Sequence, residues 1–175
     1  MNRRAFIAAS AGAAAFLFVA ACGNVGIPEA RASAPPGELP NGLYRVTAYP
    51  APPDAPGVVP YDPRLADETS TAPPTWVALD ASDYVPLVID APPLPILQTD
   101  GRLRLQITLA NEHVRTLAGF TSRNVGGRAA IVLDHEVVSV HKQRTVITDG
   151  RMQISRCTDR ACERILTKLM EGSTP

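Results

Sequence analysis

The sequence predicts an α+β protein: a small mixed sheet with two helices packed on it (strand, helix, strands, helix), preceded by a proline-rich, partly irregular β region. Two observations predict this class. From residue 102 onward, apolar residues alternate with polar ones in some segments and recur at helical spacing in others. Sixteen of the seventeen prolines precede residue 96, so an irregular region and a regular module divide near that point.

A β-hairpin forms the centre of the predicted module. Residues 128–133 and 136–140 are two apolar runs separated by the polar pair Asp134-His135. A two-residue polar break between apolar runs is typical of a hairpin turn. Residues 129–133 are apolar without interruption, which predicts a central strand covered on both faces.

Further segments complete the module. Residues 102–109 alternate as a half-exposed strand should, with four side chains directed inward: Leu103, Leu105, Ile107 and Leu109. A helix begins near Asn111, and Asn124 with the following glycines ends it. Its apolar face carries Val114, Leu117, Ala118 and Thr121, with Phe120 beside them.

Two more strands, at residues 145–148 and 151–156, are predicted before a second helix. That helix carries an apolar stripe of Cys162, Ile165, Leu166, Leu169 and Met170, and Gly172 is its expected C-cap.

Residues 43–98 form the proline-rich β region. Strands are predicted at 43–49, at 75–79 and, as an edge strand because Pro86 lacks a donor, at 84–89. Trp76 is expected to be a core or packing residue. We expect this region to be an irregular layer against the module at residues 99–171.

The first 21 residues have the composition of a lipoprotein signal peptide. Arg3 and Arg4 precede an uncharged apolar run over residues 6–21, and small residues lead directly to Cys22. Val19-Ala20-Ala21-Cys22 resembles the bacterial lipobox, in which the cysteine thiol receives the lipid. A single-pass anchor fits less well because the apolar run is short for a membrane span.

The predicted signal peptide and the residue after Cys22 also indicate an export route and a membrane location. Residues 2–7 resemble the twin-arginine consensus, although the two arginines also fit the basic start of an ordinary signal. By analogy with sorting in enteric bacteria, Gly23 after the lipidated cysteine favours the periplasmic face of the outer membrane over the inner. Residues 22–42 are predicted to be a flexible tether rich in proline and alanine.

Charge is distributed unevenly along the predicted mature chain. Residues 22–99 hold three arginines against nine acids, whereas residues 100–168 hold twelve basic side chains against seven acids. Two interpretations fit this uneven distribution of charge. Either the two parts of one protein attract each other, or the basic part offers a surface to an acidic partner. The near balance of the whole chain does not suggest a nucleic-acid partner.

With Cys22 used for lipid, Cys157 and Cys162 remain as an even pair in an oxidising compartment. We expect a disulfide between the last strand and the last helix, with two buried free thiols as the alternative. The spacing is not C-x-x-C, so redox catalysis is not indicated.

The module resembles a known family. The motifs are Leu109-x-x-Glu112-x-Val114, Phe120-Thr121, Asn124-x-Gly126-Gly127-Arg128, Ala130-Ile131-Val132-Leu133-Asp134, Val138-Ser139, Ile147 and Gly150-Arg151-x-Gln153-Ile154-Ser155, before an amphipathic helix. Together they resemble the head subdomain in the first periplasmic domain of SecD, a protein-export membrane protein. The resemblance covers about residues 97–170 and implies an extracytoplasmic, non-enzymatic domain that engages translocating polypeptide.

The sequence departs from that family at several positions. His135 replaces a turn glycine, and Ala110 replaces a helix-capping threonine, so Asn111 is expected to cap the helix one residue later. The membrane-spanning helices of SecD are not expected, so its motor function is not carried over.

The candidate partner-binding residues are arginines of the basic module: Arg102, Arg104, Arg128 and Arg151, with Arg123 and Arg156 as further exposed candidates. Asp134, His135, Glu136 and His141 invite a metal site, but the first two form a hairpin tip and His113 lies apart on a helix. No catalytic residue, metal ligand or cofactor is predicted, and neither Ser139 nor Ser155 lies in a nucleophile elbow.

Three functions follow from these patterns. The first is a lipid-anchored periplasmic module that binds a polypeptide or envelope partner without catalysis. The second is a cell-envelope hydrolase or metal-dependent enzyme whose site lies between the proline-rich layer and the sheet. The third is a passive structural lipoprotein of the envelope.

Overall fold

The computed structural model describes residues 39–65, 69–157 and 159–171, and their side chains except at 155–161. All of them lie within the unit Arg31–Pro175. One turn of 3-10 helix covers Pro63–Leu65. The strands are β1 (Gly42–Ala48), β2 (Val58–Tyr61), β3 (Thr75–Pro86), β4 (Leu94–Leu97), β5 (Leu103–Thr108), β6 (Arg128–Leu133), β7 (Glu136–Lys142) and β8 (Arg151–Cys157), and the helices are α1 (Asn111–Arg123) and α2 (Asp159–Glu171).

Five strands form one antiparallel sheet in the order β2-β3-β1-β6-β7. β6 lies between β1 and β7, and its residues 129–133 are all buried, which confirms the predicted central strand. Ile131 and Leu133 face one core cluster, whereas Ala130 and Val132 face a second cluster on the opposite side. This two-sided burial follows from the alternation of side chains along a pleated strand.

The predicted hairpin between β6 and β7 is confirmed. Asp134 and His135 have φ angles of 47° and 64°, the left-handed geometry of a tight two-residue turn. The segment before β1 holds this tip: the N–H of Asp134 donates to Oδ1 of Asn41 at 2.8 Å. Nδ1 of His135 lies 3.0 Å from the carbonyl oxygen of Leu39.

The other three strands form a second antiparallel sheet in the order β4-β5-β8. Leu105 lies opposite Ile154 on its buried face, and Gln106 lies opposite Gln153 on its other face. The alternation predicted for residues 102–109 is therefore confirmed. The expectation of one small mixed sheet was only roughly right, because all the described strand pairs are antiparallel and form two sheets.

One large core joins both sheets to both helices. α1 contributes Leu117 and Phe120, and α2 contributes Cys162, Ile165 and Leu169 from the predicted apolar stripe. Each of these five side chains is at most 2% exposed. Burying a large apolar side chain to this extent contributes about 1.5–3 kcal/mol of gross stabilisation.

A second, smaller core lies on the other face of the five-stranded sheet. The sheet curves so that its outer strands β2 and β7 contact each other around this cluster. Tyr44 stacks on Tyr84 with ring centroids 4.9 Å apart, and Tyr49 meets Tyr61 edge to face at 5.9 Å. The proline-rich region thus supplies β1, β2 and β3 of the main sheet and is not an irregular layer against it.

Two expectations for β3 were wrong. Residues 75–79 and 84–89 do not form separate strands, because β3 runs from Thr75 to Pro86 and bulges between Asp80 and Tyr84. It is an interior strand, and Pro86 is tolerated because it lies at the strand end opposite Gly42. Trp76 is 39% exposed rather than in the core, because it lies beside Pro60 on the face away from Val77.

Two local expectations after β5 were also wrong. Residues 145–148 form no strand; this loop crosses the end of α1, where the N–H of Ile147 donates to Oγ1 of Thr121 at 3.0 Å. Asn111 is the first residue of α1 and not its cap. Ala110 occupies the N-cap position without a side-chain hydrogen bond. Gly172 lies outside the described residues.

Candidate functional site

A concavity lined by four cationic side chains lies where the end of β7 approaches the second sheet. Its volume is about 890 Å³, and we name it the basic cleft. Its cationic walls are Arg102, Arg104, Lys142 and Arg144, and polar side chains including Gln98, His141 and Gln153 lie between them. Asp100 is the carboxylate among the described lining residues.

The strand period places the two arginines of β5 on the cleft side. Leu103 and Leu105 face the core, so Arg102 and Arg104 must face away from it. The turn from β4 to β5 is closed by a hydrogen bond from the N–H of Gln98 to the carbonyl oxygen of Arg102, 2.8 Å long. The backbone that carries the arginines is therefore held by its own hairpin.

Arg104 is partly oriented before any ligand binds. Its Nη1 donates to Oε1 of Gln153 at 2.9 Å, across the β5–β8 pair. Its Nε is buried and has no hydrogen-bond partner in the described part of the chain. A buried guanidinium N–H without an acceptor is costly, by about 1–3 kcal/mol for a typical unsatisfied group.

The side chain of His141 is also largely withdrawn from water, and its buried Nε2 lacks a partner among the described residues. Burial lowers the pKa of His141 below its ordinary value, so the imidazole is neutral at neutral pH. Tyr61, which also lines the cleft, stays protonated as well. Burial first, then the neighbouring Tyr49, raises its pKa to about 12, although the backbone of Val140 opposes the shift.

The positive charge of the cleft therefore comes from its arginines and its lysine. Within the described residues, no carboxylate lies within ion-pair distance of Arg104, Lys142 or Arg144. Cations that lack an internal counter-ion attract acidic groups from outside.

The structure brings together only some of the predicted partner-binding residues. Arg102 and Arg104 line the basic cleft, but Arg128 does not. Its guanidinium lies 5.3 Å from the ring centroid of Tyr49, beside a separate cavity of about 350 Å³. Arg151 is exposed at the start of β8, outside the cleft lining. Arg123 is bound to Asp83 at 2.9 Å, and the side chain of Arg156 is not described.

The sequence-based prediction missed Lys142, Arg144 and Gln153. The first two carried a usable signal, since two cations at alternate positions end an apolar strand within the basic part of the chain. Gln153 carried none, because an isolated glutamine in a strand is common on any half-exposed sheet face. Only the pairing of β5 with β8 places it beside Arg104.

The acidic pair near the hairpin has a structural partner. Nζ of Lys168 on α2 lies 3.1 Å from a carboxylate oxygen of Asp134 and 3.1 Å from one of Glu136. Burial lowers the pKa of Lys168, but hydrogen bonds to both carboxylates more than offset this, so its pKa is raised overall. Across the described ranges, no three His, Cys, Asp or Glu side chains are grouped to hold a metal ion.

The remaining predicted sites are only partly described. Cys162 is 1% exposed in the large core, and the side chain of Cys157 lies outside the described set. Cys22 and the whole signal segment also lie outside the described residues. Neither α1 nor α2, the two long helices of the described ranges, is long and apolar enough to cross a bilayer.

Comparison with known proteins gives a consistent result for the second half of the chain. Residues 89–175, just under half of the sequence, match the family model described as SecDF, P1 head subdomain. The cationic residues of the basic cleft all lie within this match. A comparison with curated protein sequences finds no match.

Two solved structures are similar to part of the chain. One is described as a membrane component SecDF that enhances protein export, at 28% identity over 47% of this chain, with a TM-score of 0.40. The other is SecDF in its super-membrane-facing form, at 27% identity over 50% of this chain, with a TM-score of 0.42. This chain spans 37% and 12% of the lengths of those two chains.

Proposed function

We propose that this protein is a non-enzymatic, polypeptide-binding module that acts in or near protein export. The observation that carries the proposal is the match of residues 89–175 to the SecDF P1 head subdomain. The cationic wall of the basic cleft belongs to the same residues, which gives the matched domain a concave surface for a ligand.

The shape and lining of the cleft support a polypeptide ligand. Its volume lies in the range of cavities that hold small ligands or short peptide segments. Amide side chains such as Gln98, Gln143 and Gln153 both donate and accept hydrogen bonds, as a peptide backbone requires. Beside them, β4 exposes Leu94 by 57% on the same face of the β4–β5 pair that carries Arg104, which offers apolar contact next to the polar cleft.

Site-specific photocrosslinking in intact cells tests this function. A photoreactive amino acid at Gln153 or Arg144 is expected to form adducts with polypeptides in transit. The same group at Glu112, exposed on α1 and outside the cleft, is the matched control. Equal adduct yields from Glu112 and from the cleft positions would rule out the cleft as the polypeptide-binding site.

We further propose that Cys22 carries a lipid and holds the module on the periplasmic face of a bacterial membrane, with the outer membrane favoured. The apolar run and small residues before Cys22 support this. Labelled palmitate should enter the wild-type chain, and Cys22→Ser should abolish labelling and release the protein from membranes. Membrane attachment without label, or label retained in Cys22→Ser, would contradict the proposal.

Cys157 and Cys162 are proposed to form a disulfide at the junction of β8 and α2. The complete burial of Cys162 and the short sequence separation support this pairing. Alkylation of denatured protein followed by mass spectrometry is expected to modify both thiols only after reduction. Free alkylation of both without reductant would refute the bond.

A further inference from the structure

We propose that the basic cleft selects acidic polypeptide segments, binding aspartate and glutamate side chains through Arg104, Lys142 and Arg144. This inference rests on the proposed polypeptide-binding function and adds a ligand class to it. Among the described residues, the other titratable groups that line the cleft are Arg102, Asp100, His141 and Tyr61. Of these, His141 and Tyr61 are neutral at neutral pH. His141 therefore adds no positive charge to the cleft, and Tyr61 adds no negative charge.

Charge is the first argument for this ligand class. Three cationic side chains of the cleft, Arg104, Lys142 and Arg144, lie within ion-pair distance of no described carboxylate, and Asp100 is the carboxylate among the described lining residues. Asp100 also has a local role, because its Oδ1 accepts a hydrogen bond from the N–H of Arg102 at 3.1 Å. The acids that neutralise basic residues elsewhere in the described chain, such as Asp83 with Arg123, do not lie at this site.

Preorganisation is the second argument. Arg104 is held at one end by Gln153, and its buried Nε lacks an acceptor among the described residues. A planar guanidinium recognises a carboxylate through two parallel N–H donors, so a fixed, partly desolvated arginine suits a carboxylate ligand. A bound carboxylate would supply both the acceptor and the counter-ion that this side chain lacks within the described part of the chain.

The sheet face around the cleft indicates a polypeptide rather than a membrane surface. Leu94 lies opposite Gln106 and Ile96 lies opposite Arg104, so apolar and polar side chains alternate over one face of the β4–β5 pair. Adjacent acidic and apolar side chains of a peptide match that pattern. Lipid headgroups instead favour exposed basic clusters next to an inserted apolar face, whereas Arg104 is half-buried within a concavity.

The test measures binding of two fluorescent peptides to the purified full chain by anisotropy. The peptides share one apolar framework, with glutamate at four positions in one and glutamine at the same positions in the other. At low salt the glutamate peptide is expected to bind at least about tenfold more tightly, and 0.5 M salt should remove most of the difference.

Variants then locate the effect. Arg104→Met with Arg144→Gln should weaken the glutamate peptide about tenfold or more and leave the glutamine peptide unchanged. Arg115→Gln, a charge loss at an exposed position on α1 outside the cleft, is the matched control and should change neither affinity. If the double variant unfolds by circular dichroism, Lys142→Gln alone should still weaken the glutamate peptide about threefold.

Each outcome decides a different question. Equal binding of both peptides would overturn the acidic selectivity and leave the proposed function standing. Binding of neither peptide would overturn both. If phosphatidylglycerol vesicles bind the chain and Arg104→Met with Arg144→Gln abolishes that binding but not peptide binding, the cleft is a headgroup site and the inference fails.

Discussion

The two sheets of this protein differ in how many of their faces are buried. The five-stranded sheet packs one face on the large core and encloses the second cluster with the other. The three-stranded sheet buries Leu105, Ile107 and Ile154 on one face, but its opposite face carries Arg104 and Gln153 at a cleft. A sheet with two covered faces is a scaffold, and a sheet with one open face can present side chains to a ligand.

This difference explains where functional candidates occur. In β6, residues 129–133 are all buried, so none of those five side chains is available to a partner. In β5, every second residue is free of the core, so a cationic side chain there does not disturb the packing of the core. Ligand selectivity can therefore change on the open face while the fold remains.

The largest expected effect compares the two faces of β5 directly. Leu105→Ala should lower the free energy of unfolding by about 2–5 kcal/mol, because the side chain is 1% exposed in the core. Gln106→Ala, its neighbour on the open face, should change it by less than about 0.5 kcal/mol. Urea unfolding of both variants measures the contrast, and equal losses would show that the open face is buried after all.

The next effect concerns pH and the second core of the five-stranded sheet. The folded-state pKa of Tyr61 is about 12 against an ordinary value of 10.0, so the unfolded chain releases this proton first. Its contribution is fully present below pH 10 and is lost as pH rises toward 12, by about 2–3 kcal/mol at 1.36 kcal/mol per unit. The raised pKa of Tyr44 acts in the same direction.

Tyr61→Phe should therefore flatten, but not abolish, the fall in stability between pH 10 and 12. Urea midpoints at several pH values provide the measurement. An unchanged slope in the variant would mean that Tyr61 titrates normally in the folded protein.

A smaller effect distinguishes two glycines that precede strands of the three-stranded sheet, Gly150 before β8 and Gly101 before β5. Gly150 has φ 72°, and a Cβ there would lie 2.8 Å from Cγ2 of Val114 on α1. Gly101 has φ 78° and open space around it. Gly150→Ala should cost about 1–3 kcal/mol and Gly101→Ala about 1 kcal/mol, because only the first adds a clash to the backbone strain.

Val114→Ala provides the check on that contact. Combined with Gly150→Ala in a double-mutant cycle, it should recover the excess cost and leave only the backbone term. A cycle with no coupling would show that the clash with Val114 is not the cause.

The smallest effect tests the ionic link between α2 and the hairpin of the main sheet. Lys168→Met should cost about 0.5–1 kcal/mol, because partly exposed ion pairs contribute little. The raised pKa of Lys168 means that this contribution is present below its ordinary value and is lost as pH rises through the folded value. A loss that is the same at pH 7 and pH 12 would show that packing, not charge, is responsible.

Local patterns in the sequence determined several features of this fold. The uninterrupted run at residues 129–133, the polar pair Asp134-His135 and the alternation over residues 102–109 predicted β6, its turn and β5. These predictions succeed because burial and turn geometry restrict which residue types occur at neighbouring positions in the sequence. Lipidation at Cys22 and the disulfide remain predictions from the same kind of pattern.

Only the tertiary structure decided where the chain's charges meet and which strands share a sheet. β1 and β3 join β6 although residues 43–98 were predicted to be an irregular layer, because strand pairing depends on distant segments. The basic cleft combines Arg104 with Arg144 and Gln153, which are about 40 to 50 residues away along the chain. No local sequence pattern indicates that these three residues lie close together. Their proximity is produced by the folding of two antiparallel sheets around one core.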